Sequence, residues 1–365
     1  MTAPETQAPG REERILEIIE TARSKKPKFR EDRINMAHGA GGKSTQGLIE
    51  GVFLPAFASP TLETLGDAGA FAVDGVDLAL TTDSFVVRPL RFPGGSIGDL
   101  AVNGTVNDLA VAGARPVALS LSLVLEEGLP ADDLRAEVDA IARAAEAAEV
   151  KIIAGDTKVV ERGHADGMYV CTAGVGRRDA RAQLSPTGLR PGDRVLLSGT
   201  IGEHGTAIML ARGEFELGAP IESDTRPLWP VVDALLDAAG PSVHAMRDAT
   251  RGGVASVLNE LARASGVAML VREKAVPVQP AVAGASEILG IDPMYVANEG
   301  KMVAFVAPED AEAALAAMRA VPGCEQAADI GEVRGEPPGM VLVETSFGGK
   351  RVMDQLAGDP LPRIC

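Results

Sequence analysis

The sequence predicts two consecutive α/β domains followed by a flexible C-terminal tail, and three observations carry that prediction. A chain of 365 residues is too long for one ordinary hydrophobic core. Apolar, β-branched runs alternate with amphipathic helical stretches along most of its length. Residues 184–193, LSPTGLRPGD, are dense in turn formers and divide the chain near its middle.

Residues 1–33 read as an N-terminal extension, polar and disordered at first. A short helix over 11–24 then places Ile15, Ile18 and Ile19 on one face. The first domain is expected at 34–180. Its strands are read at 78–82, 117–125, 151–154 and 168–175. Its helices are read at 98–112 and 132–149, where Asp132 and Asp133 suit the positive end of the second. The second domain is expected at 190–347. Strands are read at 195–199 and 243–246, and helices near 205–212, 228–239, 253–264 and 309–320. Residues 348–365, with Pro360 and Pro362, read as a mobile arm ending in Cys365.

Composition excludes several functions. A formal net charge of -16 offers nothing to displace counterions from a phosphate backbone, so no nucleic-acid partner is expected. Three cysteines without a CxxC pair make neither a disulfide framework nor a thiolate zinc site. No apolar run reaches membrane-spanning length and the first eleven residues carry no apolar signal segment. No membrane association is expected, and the chain reads as cytoplasmic.

Several segments have the residue types that chemistry needs. In HGAGGKS (38–44), Gly41 and Gly42 let backbone N–H groups wrap an anion and Lys43 adds charge, although a plain turn explains the same letters. Asp83 is placed at the end of a strand, Asp108 on a polar-edged helix beside Asn107, and Asp156 after a strand in GDTK. Converging, they would form a hard-oxygen Mg²⁺ site; singly, each is a cap or a solvated charge. DATRGG (248–253) brings Thr250 and Arg251 to a helix start, suited to phosphate or to an ordinary cap and ion pair. Glu299 in ANEGK follows an apolar run, where a desolvated carboxylate acts as a base and a hairpin turn is the alternative. His204 in GEHG suits acid–base work or a structural role. Cys365 would ride an arm reaching about 55 Å from Gly348 when fully extended. Cys171 and Cys324 read as packing residues.

Taken in order, HGAGGKS, TTDSFVV, NGTVNDLAVAGARP, GDTKVV, DATRGG, ANEGK and a final PRIC resemble the HypE family of hydrogenase-maturation carbamoyl dehydratases. That family lies within the PurM-like (AIR-synthetase-like) superfamily, and the resemblance runs from about residue 34 to 365. It implies two PurM-like α/β domains with mixed sheets, paired as a homodimer through the N-terminal domains. It implies a carbamoyl group placed on Cys365 by the carbamoyltransferase HypF, ATP-dependent dehydration of that S-carboxamide to a thiocyanate, and delivery of cyanide to a HypC–HypD complex. By family position, Asp83, Asp108 and Asp156 hold Mg²⁺ and ATP, helped by Asn107, Thr157 and the loop Gly41, Gly42 and Lys43. Thr250 and Arg251 meet phosphates, and Lys158, Glu299 and His204 are assigned to the chemical step. The extension before residue 34 exceeds what the family pattern needs. Rivals are a superfamily relative acting on a free small molecule, for which HGAGGKS offers no reactive Cys, and a non-catalytic nucleotide-binding assembly factor.

Overall fold

A computed structural model describes residues 29, 31–57, 59–213, 220–358, 361 and 363–365. The helix expected at 11–24, and Pro360 and Pro362 of the arm, lie outside the described residues.

In the N-terminal half, α1 (Lys43–Leu48) precedes the hairpin β1 (Gly69–Val73) and β2 (Val76–Phe85). A small hairpin of β3 (Arg91–Phe92) and β4 (Gly95–Ser96) feeds α2 (Ile97–Val111). Ser96 caps α2, its hydroxyl accepting from the Gly98 N–H at 3.2 Å. Then follow β5 (Ala114–Glu126), α3 (Ala131–Ala147), β6 (Lys151–Val160) and β7 (Met168–Arg178). The sheet runs β1-β2-β7-β5-β6. β5 and β6 are parallel because α3 crosses between them; the other neighbours are antiparallel. The inner face of β2, with Ala79, Thr81 and Phe85, packs under α2, while Phe71, Val73, Val76 and Leu80 lie exposed on the opposite face.

The approach of α2 to the sheet depends on Gly104. A Cβ there would lie 2.8 Å from the Phe85 ring, too close for any side chain.

The C-terminal half contains β8 (Arg194–Leu197), α4 (Glu203–Ala211), α5 (Trp229–Ala239), β9 (Val243–Asp248), α6 (Gly253–Ser265), β10 (Ala268–Arg272) and α7 (Pro280–Leu289). It continues through β11 (Met302–Val306), α8 (Ala311–Arg319), β12 (Ala328–Arg334), β13 (Val341–Glu344) and β14 (Lys350–Val352). The sheet order is β14-β13-β10-β12-β8-β11-β9, with only β10 and β13 parallel among the described strands. β8 and β11 are buried on both faces. Val195, Leu197, Val303 and Phe305 pack toward α6, and Leu196, Met302, Ala304 and Val306 toward α5 and α8. Among the described residues no helix is long and apolar enough to cross a membrane.

Three expectations change. Asp83 and Asp156 do not sit at strand ends; both lie within longer strands, held extended by ladder bonds despite their turn-like neighbours. α7 was not anticipated, although Pro280 opens it as helix-starting prolines do. The segment 348–365 is not a free arm. β14 pairs with β13, Met353 and Gln355 are buried, and Leu361 and Ile364 return to a core cluster. Apolar side chains at 353, 361 and 364 gain more by burial than a solvated arm would keep.

Candidate active site

A cleft of about 760 Å³ opens between the two halves. Its walls bring together Gly41, Gly42, Asp83, Asp108, Thr250, Arg251, Glu299 and Cys365, which the sequence had scattered across more than 300 positions.

The glycine loop and the DATRGG loop meet across the halves. Gly41 has φ +75, and a Cβ on it would come within 2.9 Å of the Arg251 Cβ. The Arg251 Nη1 donates to the Gly39 carbonyl at 3.0 Å. Arg251 is held firmly protonated, first by the negative charge of Cys365 and then by Asp83, Glu299 and Asp108, against its own desolvation. A guanidinium flanked by glycine N–H groups and the start of α6 has the chemistry of a phosphate site.

Carboxylates gather on the other wall. Asp67, Asp108 and Asp248 place an oxygen each within 4.8 Å of one another. Asp108 accepts from the Thr81 hydroxyl at 2.8 Å, and Arg247 pairs with Asp67 at 3.0 Å, tying the halves together. Burial, then the charges of Asp248, Asp67 and Asp83, drives Asp108 well above the carboxylate range. Burial and Asp67 push Asp248 up to about 8. Asp83, raised by burial, is moderated by Arg251. Crowded, desolvated oxygens of this kind fit a hard divalent cation.

Asp156 is not in this group. β2 and β6 are separated by β7 and β5, about 14 Å of sheet. The ladder places Asp156 opposite Ser122 and Asp83 opposite Thr172, so the two carboxylates project from opposite faces. Asp156 and Lys158 instead pair with each other at 2.6 Å on the exposed strand, and that bond lowers the Asp156 carboxyl. Thr157 is equally exposed. Among the described residues, Asp67 and Asp248 rather than Asp156 stand beside Asp108. Asp248 lay within a segment already singled out and ends a strand, the signal used for Asp83, whereas Asp67 carried no signal beyond its neighbouring Gly66.

Glu299 is buried at the cleft. Burial, reinforced by Asp83, Asp248 and Asp224, raises its carboxyl well above the ordinary range, with Arg251 opposing. Asn107 does not line the cleft. Its Nδ2 donates to the Glu299 carbonyl at 3.1 Å and the Arg226 carbonyl at 3.0 Å, and its Oδ1 accepts from the Leu228 N–H at 2.7 Å, so it fastens the two halves. Lys43 turns away to Asp354 at 2.8 Å. His204 is fully buried behind the tail and outside the cleft walls.

Residues 65–178 match the family model "AIR synthase related protein, N-terminal domain" and residues 190–343 its C-terminal counterpart. The carbamoyl dehydratase HypE of Bradyrhizobium diazoefficiens is 49% identical over 344 residues, covering 94% of this chain and 99% of that protein. The Escherichia coli carbamoyl dehydratase HypE is 44% identical over 339 residues, covering 92% and 100%. A solved HypE–HypF complex superposes with a TM-score of 0.81 at 44% identity over 85% of this chain and 99% of the other. A HypE structure in complex with ATP gives 0.77 at 43% identity over 91% and 100%. Thiamine monophosphate kinase from Aquifex aeolicus, at 22% identity and a TM-score of 0.62 over 84% of this chain and 97% of that one, shares the fold alone. Near-complete coverage, identity close to one half and a shared two-domain architecture place the chain in the carbamoyl dehydratase HypE family.

Proposed function

We propose that this protein uses ATP to dehydrate an S-carboxamide carried on its own Cys365 to a thiocyanate, supplying a cyanide ligand for [NiFe]-hydrogenase maturation. The observation that carries the proposal is that Cys365 shares one cleft with Arg251, Glu299, the glycine loop and a converging set of acids.

The amide oxygen is a poor leaving group, so ATP transfers its γ-phosphoryl group to it and the oxygen departs as phosphate. Gly41, Gly42, Thr250 and Arg251 cradle the phosphates from the glycine-loop side. Two protons leave the amide nitrogen as the C≡N bond forms, one to Glu299 at the cleft and the other with the departing phosphate. The high proton affinity of Glu299 makes it a stronger base than a solvated carboxylate once it is ionised. Magnesium fits the donor set: Asp67, Asp108 and Asp248, with Asp83 beside them, would hold it, and it would neutralise phosphate charge. Asn107 keeps Glu299 in register from behind.

Lys158 and Asp156 cannot serve their own cleft from the far face of the sheet. That face carries Phe71, Val73, Val76 and Leu80 in the open, an apolar patch suited to a second copy of the chain. A homodimer through the N-terminal sheets is the arrangement in which these two residues could contribute, each to the other copy's site. HypF as carbamoyl donor partner, a HypC–HypD complex as acceptor and a cytoplasmic setting complete the proposal.

Intact mass tests it. The chain is incubated with HypF, carbamoyl phosphate and ATP, then with excess Mg-ATP, beside Cys365→Ala. A carbamoyl adduct on Cys365 that loses one water only with ATP is expected. An adduct that survives Cys365→Ala, or no water loss, would overturn the proposal.

A further inference from the structure

His204 lies on α4, beneath the returning tail rather than beside the cleft. Its Nε2 is 2.7 Å from the Ile364 carbonyl oxygen and its Nδ1 is 2.8 Å from the Ser223 hydroxyl. A carbonyl oxygen only accepts, so Nε2 carries the hydrogen and Ser223 donates to Nδ1. Phe92 stands edge-on to the ring at 5.5 Å and closes its remaining side. The ring therefore has one orientation and one tautomer, with Nδ1 held by Ser223 and Nε2 directed at the residue before the thiol.

The tail is held at neighbouring points as well. The Val86 N–H donates to the Cys365 carbonyl at 3.0 Å, and the Arg88 N–H to the Arg363 carbonyl at 3.4 Å. The side chain of Ile364 is buried in the cluster that includes Phe92, Ile208 and Val296.

The next residue after Ser223 grips the opposite wall. The Asp224 carboxylate accepts from the Glu299 N–H at 3.1 Å, the Gly300 N–H at 3.1 Å and the Lys301 ammonium at 3.0 Å. Adjacent Cα atoms are about 3.8 Å apart whatever the chain does. One dipeptide thus fixes the ring that seats Cys365 and the backbone that carries Glu299.

We propose that His204 is a positioning residue: held by Ser223, it seats the tail so that Cys365 faces Glu299, and the Ser223–Asp224 step keeps the two in one register. This rests on the preceding proposal that Cys365 carries the reacting group.

The test uses the full chain and peptide-level mass spectrometry, which separates Cys365 from exposed Cys171. The rate of iodoacetamide alkylation at Cys365 reports how often the tail leaves. Single-turnover water loss from the carbamoylated chain reports chemistry, and nucleotide affinity reports an intact cleft. His204→Leu is expected to raise alkylation and slow water loss, each roughly tenfold, the effect of one buried hydrogen bond. His204→Gln, which keeps an N–H donor, should recover most of both, and Ser223→Ala should fall between. With nucleotide affinity retained, unchanged alkylation in His204→Leu would overturn the proposal, as would His204→Gln behaving like His204→Leu. If wild-type Cys365 shows no ATP-dependent water loss, the dehydration reading fails, while the alkylation contrast still decides the tail seat.

Discussion

At the scale of single residues, the cleft is a balance between buried acids and Arg251. Replacing Glu299 with Gln keeps its shape but removes the proposed base. ATP-dependent water loss from carbamoylated Cys365 is expected to fall at least about 100-fold, measured in a single turnover. The same acids make stability depend on pH. Without a cation, folded Asp108, Asp248 and Glu299 hold protons that the unfolded chain has released, because their folded affinities are raised, Asp248 to about 8. The folded state therefore binds more protons between the ordinary carboxylate range and that value, and its stability falls as pH rises. In EDTA, Tm should drop from pH 6 to pH 8.5, and Mg-nucleotide should reduce the drop. A Tm that is flat across that window would contradict the assignment. Gly41, Gly42, Asp83, Asp108, Thr250, Arg251, Glu299 and Cys365 line the cleft, and each sits in a segment whose residue types stand out in the sequence. Asp156 was misplaced because its neighbours reveal position along a strand but not which face it shares, and that depends on register.

At the scale of elements, burial did not decide what was readable: buried α2 and β8 were expected from the sequence, while the partly buried α7 was not. α3 shows a charged outer face and an apolar inner one, so its period stands out. α2 is buried on nearly all sides and mixes Gly, Asn and Thr with apolar residues. Its position over β2 rests on Gly104, with Asp83 Oδ2 only 3.5 Å from where a Cβ would sit. Gly104→Val should push α2 off the sheet, cost about 1–3 kcal/mol of stability and lower nucleotide affinity, read by thermal unfolding and titration. Unaltered Tm and affinity would show that the helix has room to spare. β6 was cut short because Gly155, Asp156 and Thr157 look like a turn; pairing with β5 overrides that preference.

At the scale of the whole molecule, two half-sites meet at one cleft, and the contacts across it are specific. Asn107 and Arg247 do for the pair of domains what turns do within each. The two-domain α/β fold was legible from alternation, whereas the return of the tail was not, since its anchors lie hundreds of residues away. The open apolar face of the N-terminal sheet sets the last prediction. Leu80→Glu should leave the monomer folded while shifting sedimentation from dimer to monomer and reducing water loss. A variant that sediments as wild type would remove the sheet face from the interface.

The tail is pinned well before its end, because the Lys43 N–H binds the Leu356 carbonyl at 3.0 Å and the Ser44 hydroxyl binds the Ala357 carbonyl at 2.9 Å. While those bonds hold, eight residues lie between Ala357 and the end of the sequence at Cys365. Eight residues span at most about 29 Å, roughly half the radius a free arm from Gly348 would sweep. A carbamoyl donor must therefore bring its own catalytic centre within that radius of Ala357. The anchor thus acts as a ruler: it limits where on this protein's surface a partner can dock and still exchange cargo.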